Sequence, residues 1–199
     1  MSSSPVYPES SGPKEFLDLV ASRLGRDGFS VQRGVRVDPY SLDTLASRTI
    51  MGTTLKNIKV QWSNIVAVSF IDAPSRDVAR DYSGFIAKYA YENRKSFSVP
   101  RNGQATIAVM VSLGFMVDTK RWVSETSPNY SWMWANSEFP VLVELTSHEI
   151  SYYRGTPFRN YGLYESCESF RTSGLDSQTL FKFLDFGAAE RVRTSSRAV

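Results

Sequence analysis

The sequence predicts an α/β protein in which helices flank one mixed β-sheet. Segments with helical periodicity alternate along the chain with apolar segments typical of strands. The stretch from residue 64 to residue 115 is predicted as strand, helix and strand, and such a crossover joins parallel strands in a right-handed sense. The earlier strands are connected by turns too short for a crossover, so they should pair antiparallel.

The first predicted helix begins at Pro13, a residue that suits the opening turn of a helix. Gly25 or Gly28 is predicted to end this helix, because glycine is the usual residue after a helix C-terminus. Its apolar residues recur at the spacing of one helix face, namely Phe16, Leu19, Val20 and Leu24.

Several strands are predicted next. Residues 29–35 (FSVQRGV) and 42–52 (LDTLASRTIMG) are the first two, and 55–62 (LKNIKVQW) is predicted to extend the sheet after a turn near Gly52. Residues 64–71 (NIVAVSFI) form the third strand, and their unbroken apolar run indicates burial on both faces.

A long helix follows Pro74. Ser75 is the predicted N-cap, and Asp77 suits the positive end of the helix dipole. The predicted buried face consists of residues at helical spacing, namely Val78, Tyr82, Phe85, Ile86 and Tyr89.

The remaining elements are shorter. Residues 105–115 are predicted as a buried strand and 117–126 as a short helix. Residues 139–145 and 150–155 flank the polar sequence TSHE and are predicted as a β-hairpin. A C-terminal helix is predicted over 177–189, where apolar residues predominate.

Composition indicates one folded domain. The chain has 199 residues, of which 42% are hydrophobic, and this suffices for a packed core. We expect a flexible N-terminal arm over 1–12, a single domain over 13–189 and a flexible basic tail over 190–199. The net charge of +3 does not by itself indicate nucleic-acid binding, because no long run of lysine or arginine is present.

Single copies of cysteine and histidine limit the chemistry. Cys167 has no second cysteine with which to form an intrachain disulfide, and one Cys with one His does not favour a structural zinc site. His148 falls in the predicted hairpin turn and is expected to be exposed. The N-terminus does not resemble a signal peptide, and no apolar run is long enough to cross a membrane. We therefore expect a cytoplasmic protein with no membrane insertion and no cofactor.

The predicted order of elements, α-β-β-β-α-β, resembles that of the restriction-endonuclease-like, or PD-(D/E)XK, fold. The segment LDTLASRTI, which contains Asp43, is similar to the strand of that fold that supplies the first metal-binding acid. IVAVSF (65–70) lies where the acid-x-Lys strand belongs. The resemblance covers about residues 14–115, and it implies metal-assisted phosphodiester hydrolysis in active members.

The acid and the lysine of that motif are two residues apart because alternate residues of a strand share one face. Here the two positions in that phase are Ala67 and Ser69, neither of which supplies a carboxylate or an ammonium group. The resemblance thus implies a dismantled site. The missing groups could come from elsewhere in two ways: a lysine from the preceding segment or an acid from the first helix. The candidates are Lys56, Lys59, Glu15 and Asp18.

Asp43 has two interpretations. It is a vestigial metal ligand, or it is a structural acid, either exposed on an edge strand or paired with Arg48. The structural interpretation is favoured, because one acid alone does not make a metal site.

Aromatic residues and arginines alternate in the segment after the predicted hairpin, with two tryptophans shortly before it. Tyrosine and arginine are typical anchors of protein interfaces, and the same combination stacks bases and holds phosphates. A third interpretation is that these aromatics simply cover the sheet. The candidates are Trp132, Trp134, Tyr152, Tyr153, Arg154, Phe158, Arg159, Tyr161 and Tyr164.

The sequence therefore favours a non-catalytic subunit or interaction protein with a degenerate nuclease-like fold, which acts with a protein partner or as a homo-oligomer. The alternative is a nucleic-acid-binding protein or a metal-dependent nuclease with a rearranged active site. The two differ in what they need: an enzyme needs clustered carboxylates, whereas a subunit needs an exposed apolar surface.

Overall fold

The computed structural model describes residues 12–53, 59–93, 101–125, 129–131 and 136–153. The predicted C-terminal helix, the basic tail and all of the N-terminal arm except Gly12 lie outside these residues. The elements in chain order are α1 (Pro13–Arg26), β1 (Ser30–Val37), β2 (Tyr40–Thr53), β3 (Lys59–Phe70), α2 (Arg76–Glu92), β4 (Arg101–Ser112), α3 (Val117–Glu125), β5 (Asn129–Ser131), β6 (Asn136–Glu144) and β7 (Glu149–Tyr152).

The seven strands described form one mixed sheet with the order β1-β2-β3-β4-β6. β1, β2 and β3 pair antiparallel, whereas β3 pairs parallel with β4, and β4 with β6. The crossover through α2 therefore joins parallel strands, as predicted. The mixed α/β class predicted from the sequence is confirmed.

β5 and β7 share the outer edge of β6. β5 pairs with residues 136–138 of β6 and β7 with residues 141–144, both antiparallel. The gap between them coincides with Pro140, which lacks the N–H group that a strand ladder uses. The turn from 145 to 148 connects β6 to β7, so the predicted hairpin is confirmed, and His148 is exposed in that turn.

α1 ends at Arg26, and the second of the two predicted glycines, Gly28, follows its C-cap residue Asp27. Gly28 has a φ of +82°, a conformation that favours glycine. The Gly28 N–H donates to the Gly25 carbonyl at 3.1 Å, and the Phe29 N–H donates to the Leu24 carbonyl at 3.0 Å. These two bonds constitute the Schellman motif, which satisfies carbonyl groups at the end of the helix.

α2 begins as predicted, and most of its predicted face is turned to the sheet: Tyr82 and Ile86 are fully buried, and Phe85 and Tyr89 are partly buried. The Ser75 hydroxyl accepts the Val78 N–H at 3.4 Å, so Ser75 is the N-cap. Val78 itself is 40% exposed, and the prediction that it belongs to the buried face was wrong. The buried positions include Ala79 and Ala90, because small residues let the helix approach the sheet closely.

The central strands of the sheet are buried on both faces, whereas β1 is largely exposed. The α1-side core contains residues of α1 and every second residue of the central strands, among them Val20, Leu24, Val66, Val68, Ile107 and Val141. The α2-side core lies beneath α2 and α3 and includes Ala67, Tyr82, Ile86, Met110, Val123 and Leu142. Consecutive residues of β3 thus enter opposite cores, which confirms the predicted burial on both faces.

The segments predicted as separate strands over 55–62 and 64–71 form one continuous strand over 59–70. β2 pairs with β3 without interruption from Thr44–Val68 to Thr53–Lys59, so no turn divides β3. No helix among the described residues is long and apolar enough to cross a membrane.

Candidate functional site

β2 and β3 separate next to Asp43. Their ladder ends at the Thr44–Val68 pair. Beyond that pair the Phe70 N–H donates to Asp43 Oδ2 at 2.7 Å. A backbone N–H shielded from water needs an acceptor, and at this partly buried position the carboxylate of Asp43 takes the place of a backbone carbonyl.

The direction of these backbone groups explains why a side chain is needed. The Ile71 N–H donates to Val111 on β4 at 2.9 Å. Neighbouring N–H groups in a strand point to opposite edges, so the N–H of Phe70 points toward β2. Because β2 has already diverged there, Asp43 supplies the acceptor.

The divergence begins at a glycine in β1. Gly34 has a φ of +59°, and the β1–β2 ladder skips the position where it would face Asp43. Val31 packs on the α1-side core, whereas Val35 packs on the α2-side core. Residues four apart in a regular strand share one face, so the hairpin of β1 and β2 changes its facing at Gly34 and folds over α2.

A buried hydrogen-bond cluster fills the space opened by this divergence. The Ser69 hydroxyl lies 3.0 Å from the Tyr82 hydroxyl and donates to the Ser41 carbonyl at 3.2 Å. The Tyr40 ring contacts the Tyr82 ring edge-on, with centroids 5.2 Å apart. Burial raises the pKa of the Tyr82 hydroxyl far above its usual range, so this hydroxyl stays neutral.

Ala67 and Ser69, which the sequence resemblance aligns with an acid-x-Lys motif, are packing residues in this structure. Ala67 is fully buried in the α2-side core, and Ser69 is 2% exposed and bonded to Tyr82. The proposed compensation from the first helix is not supported: Asp18 pairs with Arg33 of β1, and α1 lies on the opposite face of the sheet from Tyr82. Lys56 and the side chain of Lys59 lie outside the described parts of the chain.

Two structural interpretations of Asp43 need correction. β2 lies between β1 and β3, so Asp43 is not on an edge strand. Arg48 is five residues away, or roughly 16 Å along an extended strand, which is too far for an ion pair with Asp43. The Arg48 guanidinium instead lies 4.6 Å above the Phe29 ring and donates to the Asp27 carbonyl at 2.9 Å.

A second polar cluster lies at the carboxyl ends of β4 and β6. Lys120 of α3 bonds to the carboxylates of Glu144 and Glu149, the latter at 2.8 Å. Glu144 also accepts the Ser147 hydroxyl at 2.6 Å and the Phe115 N–H at 3.4 Å. This cluster ties α3 to the β6–β7 hairpin.

The charges of this cluster stabilise one another. Burial by itself would raise the pKa of Glu144, but hydrogen bonds from Lys120 and Ser147 bring the pKa below its ordinary value. Hydrogen bonds to Glu144 and Glu149 raise the pKa of Lys120. Within the described ranges, no group of three or more His, Cys, Asp or Glu side chains is placed to hold a metal ion.

We expect Glu144→Gln to lower the free energy of unfolding by about 1–2 kcal/mol at neutral pH, because a charged hydrogen-bond acceptor is lost in a partly exposed site. The lowered pKa of Glu144 stabilises the fold above the unfolded value of 4.5, and this stabilisation is lost as pH falls through the folded pKa. The raised pKa of Lys120 stabilises the fold below 10.5 and ceases to do so as pH rises through the folded value.

Urea unfolding of wild type and variant at about pH 7 and about pH 3 measures this linkage. The difference between the two proteins should shrink in acid. Glu125→Gln is the matched control, since Glu125 pairs with Arg121 at an exposed position and should change stability by at most about 0.5 kcal/mol. An equal difference in the free energy of unfolding between wild type and Glu144→Gln at both pH values would contradict the lowered pKa of Glu144.

The structure describes only two of the candidate interface residues. Tyr152 is partly buried, pairs with Val141 and packs against the α1-side core, whereas Tyr153 is partly buried just after β7. At Tyr152, packing over the sheet accounts for the aromatic side chain. The other candidates lie outside the described residues: Trp132, Trp134, Arg154, Phe158, Arg159, Tyr161 and Tyr164.

The sequence interpretation missed two features. An isolated glycine within a strand, here Gly34, is a signal for a bulge or a change of facing. Glu144 follows an unbroken apolar run and so marks the carboxyl end of a strand, the edge at which α/β sheets bind ligands. The pairing of Glu144 with Lys120 has no signal in the local sequence.

Comparisons with protein-family models, with curated proteins and with solved structures found no match to this chain. The fold and the site define the class of protein as α/β, with a mixed sheet whose central strands are covered on both faces. In this protein Asp43 accepts the N–H at which the β2–β3 ladder ends.

Proposed function

We propose that this chain is a non-catalytic interaction protein with a degenerate restriction-endonuclease-like core, and that it acts as a subunit of a larger assembly. The described order α1-β1-β2-β3-α2-β4 supports the resemblance, because that fold has the order α-β-β-β-α-β. The parallel pairing of β3 with β4 through α2 agrees with it as well.

The observation that carries the proposal is the bond between Asp43 and the Phe70 N–H. An acid that binds a hard divalent cation must direct its oxygen atoms toward the ion together with other oxygen ligands. In this protein one oxygen of Asp43 is used by the backbone, and the neighbouring position, Ser69, bonds to Tyr82. This arrangement favours a structural role for the former metal-binding acid.

The interaction surface that we propose includes the aromatic and arginine residues after β7. Arg159 and Tyr161 are the suggested anchors, because each combines a large contact area with a directional polar group. Tyr153 directly follows β7 and precedes this segment in the chain.

The test is the native mass of the protein purified from its source, for wild type and for Arg159→Ala. We expect the wild type to elute with a partner or as an oligomer, and the variant to lose this association. Thermal stability should change little, since exposed substitutions shift stability by about 0.5 kcal/mol or less. Arg121→Ala, at an arginine of α3 that is 74% exposed, is the matched control and should keep the native mass.

Nucleic-acid binding is the competing outcome of the same experiment. In that case Arg159→Ala lowers affinity for oligonucleotides and reduces the slope of log affinity against log salt by about one. A large drop in melting temperature, with native mass and oligonucleotide binding unchanged, would show that Arg159 contributes to core packing only.

A further inference from the structure

The loop between β4 and α3 exposes three large apolar side chains in sequence proximity. Leu113 is 51% exposed, Met116 57% and Val117 83%. Single exposed apolar residues are ordinary, whereas three within five consecutive positions make this loop a candidate binding surface. We call these three residues the 113–117 surface.

The backbone of this loop is held in place. The N–H groups of Gly114 and Ala73 both donate to the Ser112 hydroxyl, at 3.4 and 3.1 Å. The Phe115 N–H donates to Glu144, and the Met116 carbonyl accepts the N–H groups of Thr119 and Lys120, both at 3.1 Å. The apolar side chains are thus presented by a fixed backbone, which reduces the entropy lost when something binds them.

Acidic residues predominate around the 113–117 surface. Asp72 precedes the Ala73 that bonds to Ser112, Asp118 follows Val117, and Glu144 bonds to the loop itself. The charged residues of the adjoining turns and helix starts are Asp72, Asp77, Asp118, Glu144 and Glu149 against Arg76, Arg80 and Lys120. Arg80 pairs with Asp77 and Lys120 with both glutamates, so five acids against three bases leave an excess of two negative charges. A complementary occupant combines apolar side chains with positive charge.

We propose that the C-terminal segment of this same chain, residues 177–197, binds the 113–117 surface. The sequence predicts a helix over 177–189, with apolar residues at i, i+3 and i+4 that form one face, namely Leu180, Phe183 and Leu184. The segment carries Lys182, Arg191, Arg193 and Arg197 against Asp185 and Glu190, which is a net charge of +2. The apolar face matches the exposed loop, and the arginines match its acidic surroundings.

The length of the chain permits this contact. β7 ends at Tyr152, and the 23 residues from 154 to 176 precede the predicted helix. An extended chain of this length spans up to about 75 Å. A domain of this size has a radius of gyration of about 15 Å, so the predicted helix can reach the carboxyl edge of the sheet from any direction.

A spin label on the C-terminal segment tests the proposal in the full chain. Cys167 is the only cysteine, so a Cys167→Ser, Ala189→Cys protein carries one nitroxide at the end of the predicted helix. We expect the amide signals of residues 113–118 to lose most of their intensity in the NMR spectrum. Signals of β1, at the far edge of the sheet, should keep theirs.

Two variants identify the contact. Met116→Asp with Val117→Asp should restore the intensities, because it places negative charge in an apolar contact. Val78→Asp alters another exposed apolar residue, on α2, and should leave the loss of signal unchanged. If the double variant does not fold, Arg191→Glu with Arg193→Glu is the substitute and should also restore intensity.

Three results would overturn the proposal. The first is full signal intensity at residues 113–118 in the labelled protein. The second is loss of signal that persists in the double variant. The third is found by mixing two proteins: an isotope-enriched chain without a spin label and a spin-labelled chain without isotope enrichment. The same loss of signal at residues 113–118 in this mixture would show that the C-terminal segment of a second copy binds the surface. The proposal does not rest on the function proposed above.

Discussion

Tyr82→Ala is expected to lower the free energy of unfolding by about 3–5 kcal/mol, the usual cost of truncating a buried aromatic side chain. Tyr82 is fully buried, and its ring contacts Tyr40, which in turn contacts Phe85 with centroids 5.0 Å apart. The substitution removes the side chain that joins the β1–β2 hairpin to α2. Because small domains are stable by only about 5–15 kcal/mol, the variant should be close to unfolding.

Denaturant unfolding of three variants separates packing from hydrogen bonding. Tyr82→Phe keeps the ring and loses only the hydroxyl that bonds to Ser69, so we expect a loss of about 1 kcal/mol. Tyr91→Ala truncates a tyrosine of the same helix that is 44% exposed and should cost about 1 kcal/mol or less. Similar losses for Tyr82→Ala and Tyr91→Ala would mean that Tyr82 does not organise this core.

The alkaline limb of the stability profile provides a further readout. The pKa of Tyr82 is raised in the folded protein, mainly by burial. The contribution of the neutral hydroxyl to the free energy of unfolding is therefore fully present below the unfolded pKa of 10.0. As pH rises above that value, ionisation of Tyr82 favours the unfolded chain. Tyr82→Phe should therefore lose less stability than wild type between neutral and alkaline pH.

Asp43→Ala is expected to lower the free energy of unfolding by about 1–2 kcal/mol, because it leaves a partly buried N–H without its acceptor. The bond that is lost joins Asp43 Oδ2 to the Phe70 N–H. Asp43→Asn retains an oxygen acceptor and should restore part of the stability. Asp72→Ala removes an exposed acid near the same edge of the sheet and should be nearly neutral.

The same proteins decide between a structural acid and a metal ligand. We expect neither wild type nor Asp43→Ala to cleave single- or double-stranded DNA or RNA in Mg²⁺ or Mn²⁺. Cleavage by wild type that disappears in an Asp43→Ala protein of unchanged stability would assign Asp43 to catalysis. If neither protein cleaves and Asp43→Ala is less stable than wild type, the result supports the role of Asp43 as acceptor of the Phe70 N–H.

The candidate site illustrates what local sequence predicts. Asp43 was singled out because an acid among apolar strand residues is unusual, and the favoured structural interpretation agrees with its bond to Phe70. Its actual partner is a backbone group 27 positions away on another strand. No spacing rule within β2 identifies such a partner, and the proposed edge position and Arg48 partner were wrong for that reason.

The sequence by itself determined the elements whose signals are local. Pro13 and Gly28 bound α1, Ser75 caps α2, and the apolar run around Val66 predicts a strand buried on both faces. Short turns and a helical crossover fixed which strands pair antiparallel and which pair parallel. Helix ends and strand burial depend on conformations and contacts within a few residues, and pairing direction depends on the length of the connection, so spacing along the chain suffices to predict them.

Only the tertiary structure decided how these elements face one another. α2 buries Ala79 rather than Val78, because the approach of the helix to the sheet favours the small side chain. The hairpin changes its facing at Gly34, and Lys120 meets Glu144 from an element 24 positions away. Such contacts are fixed by the packing of the whole sheet between two helical layers, since burial there must satisfy both volume and hydrogen bonding at once.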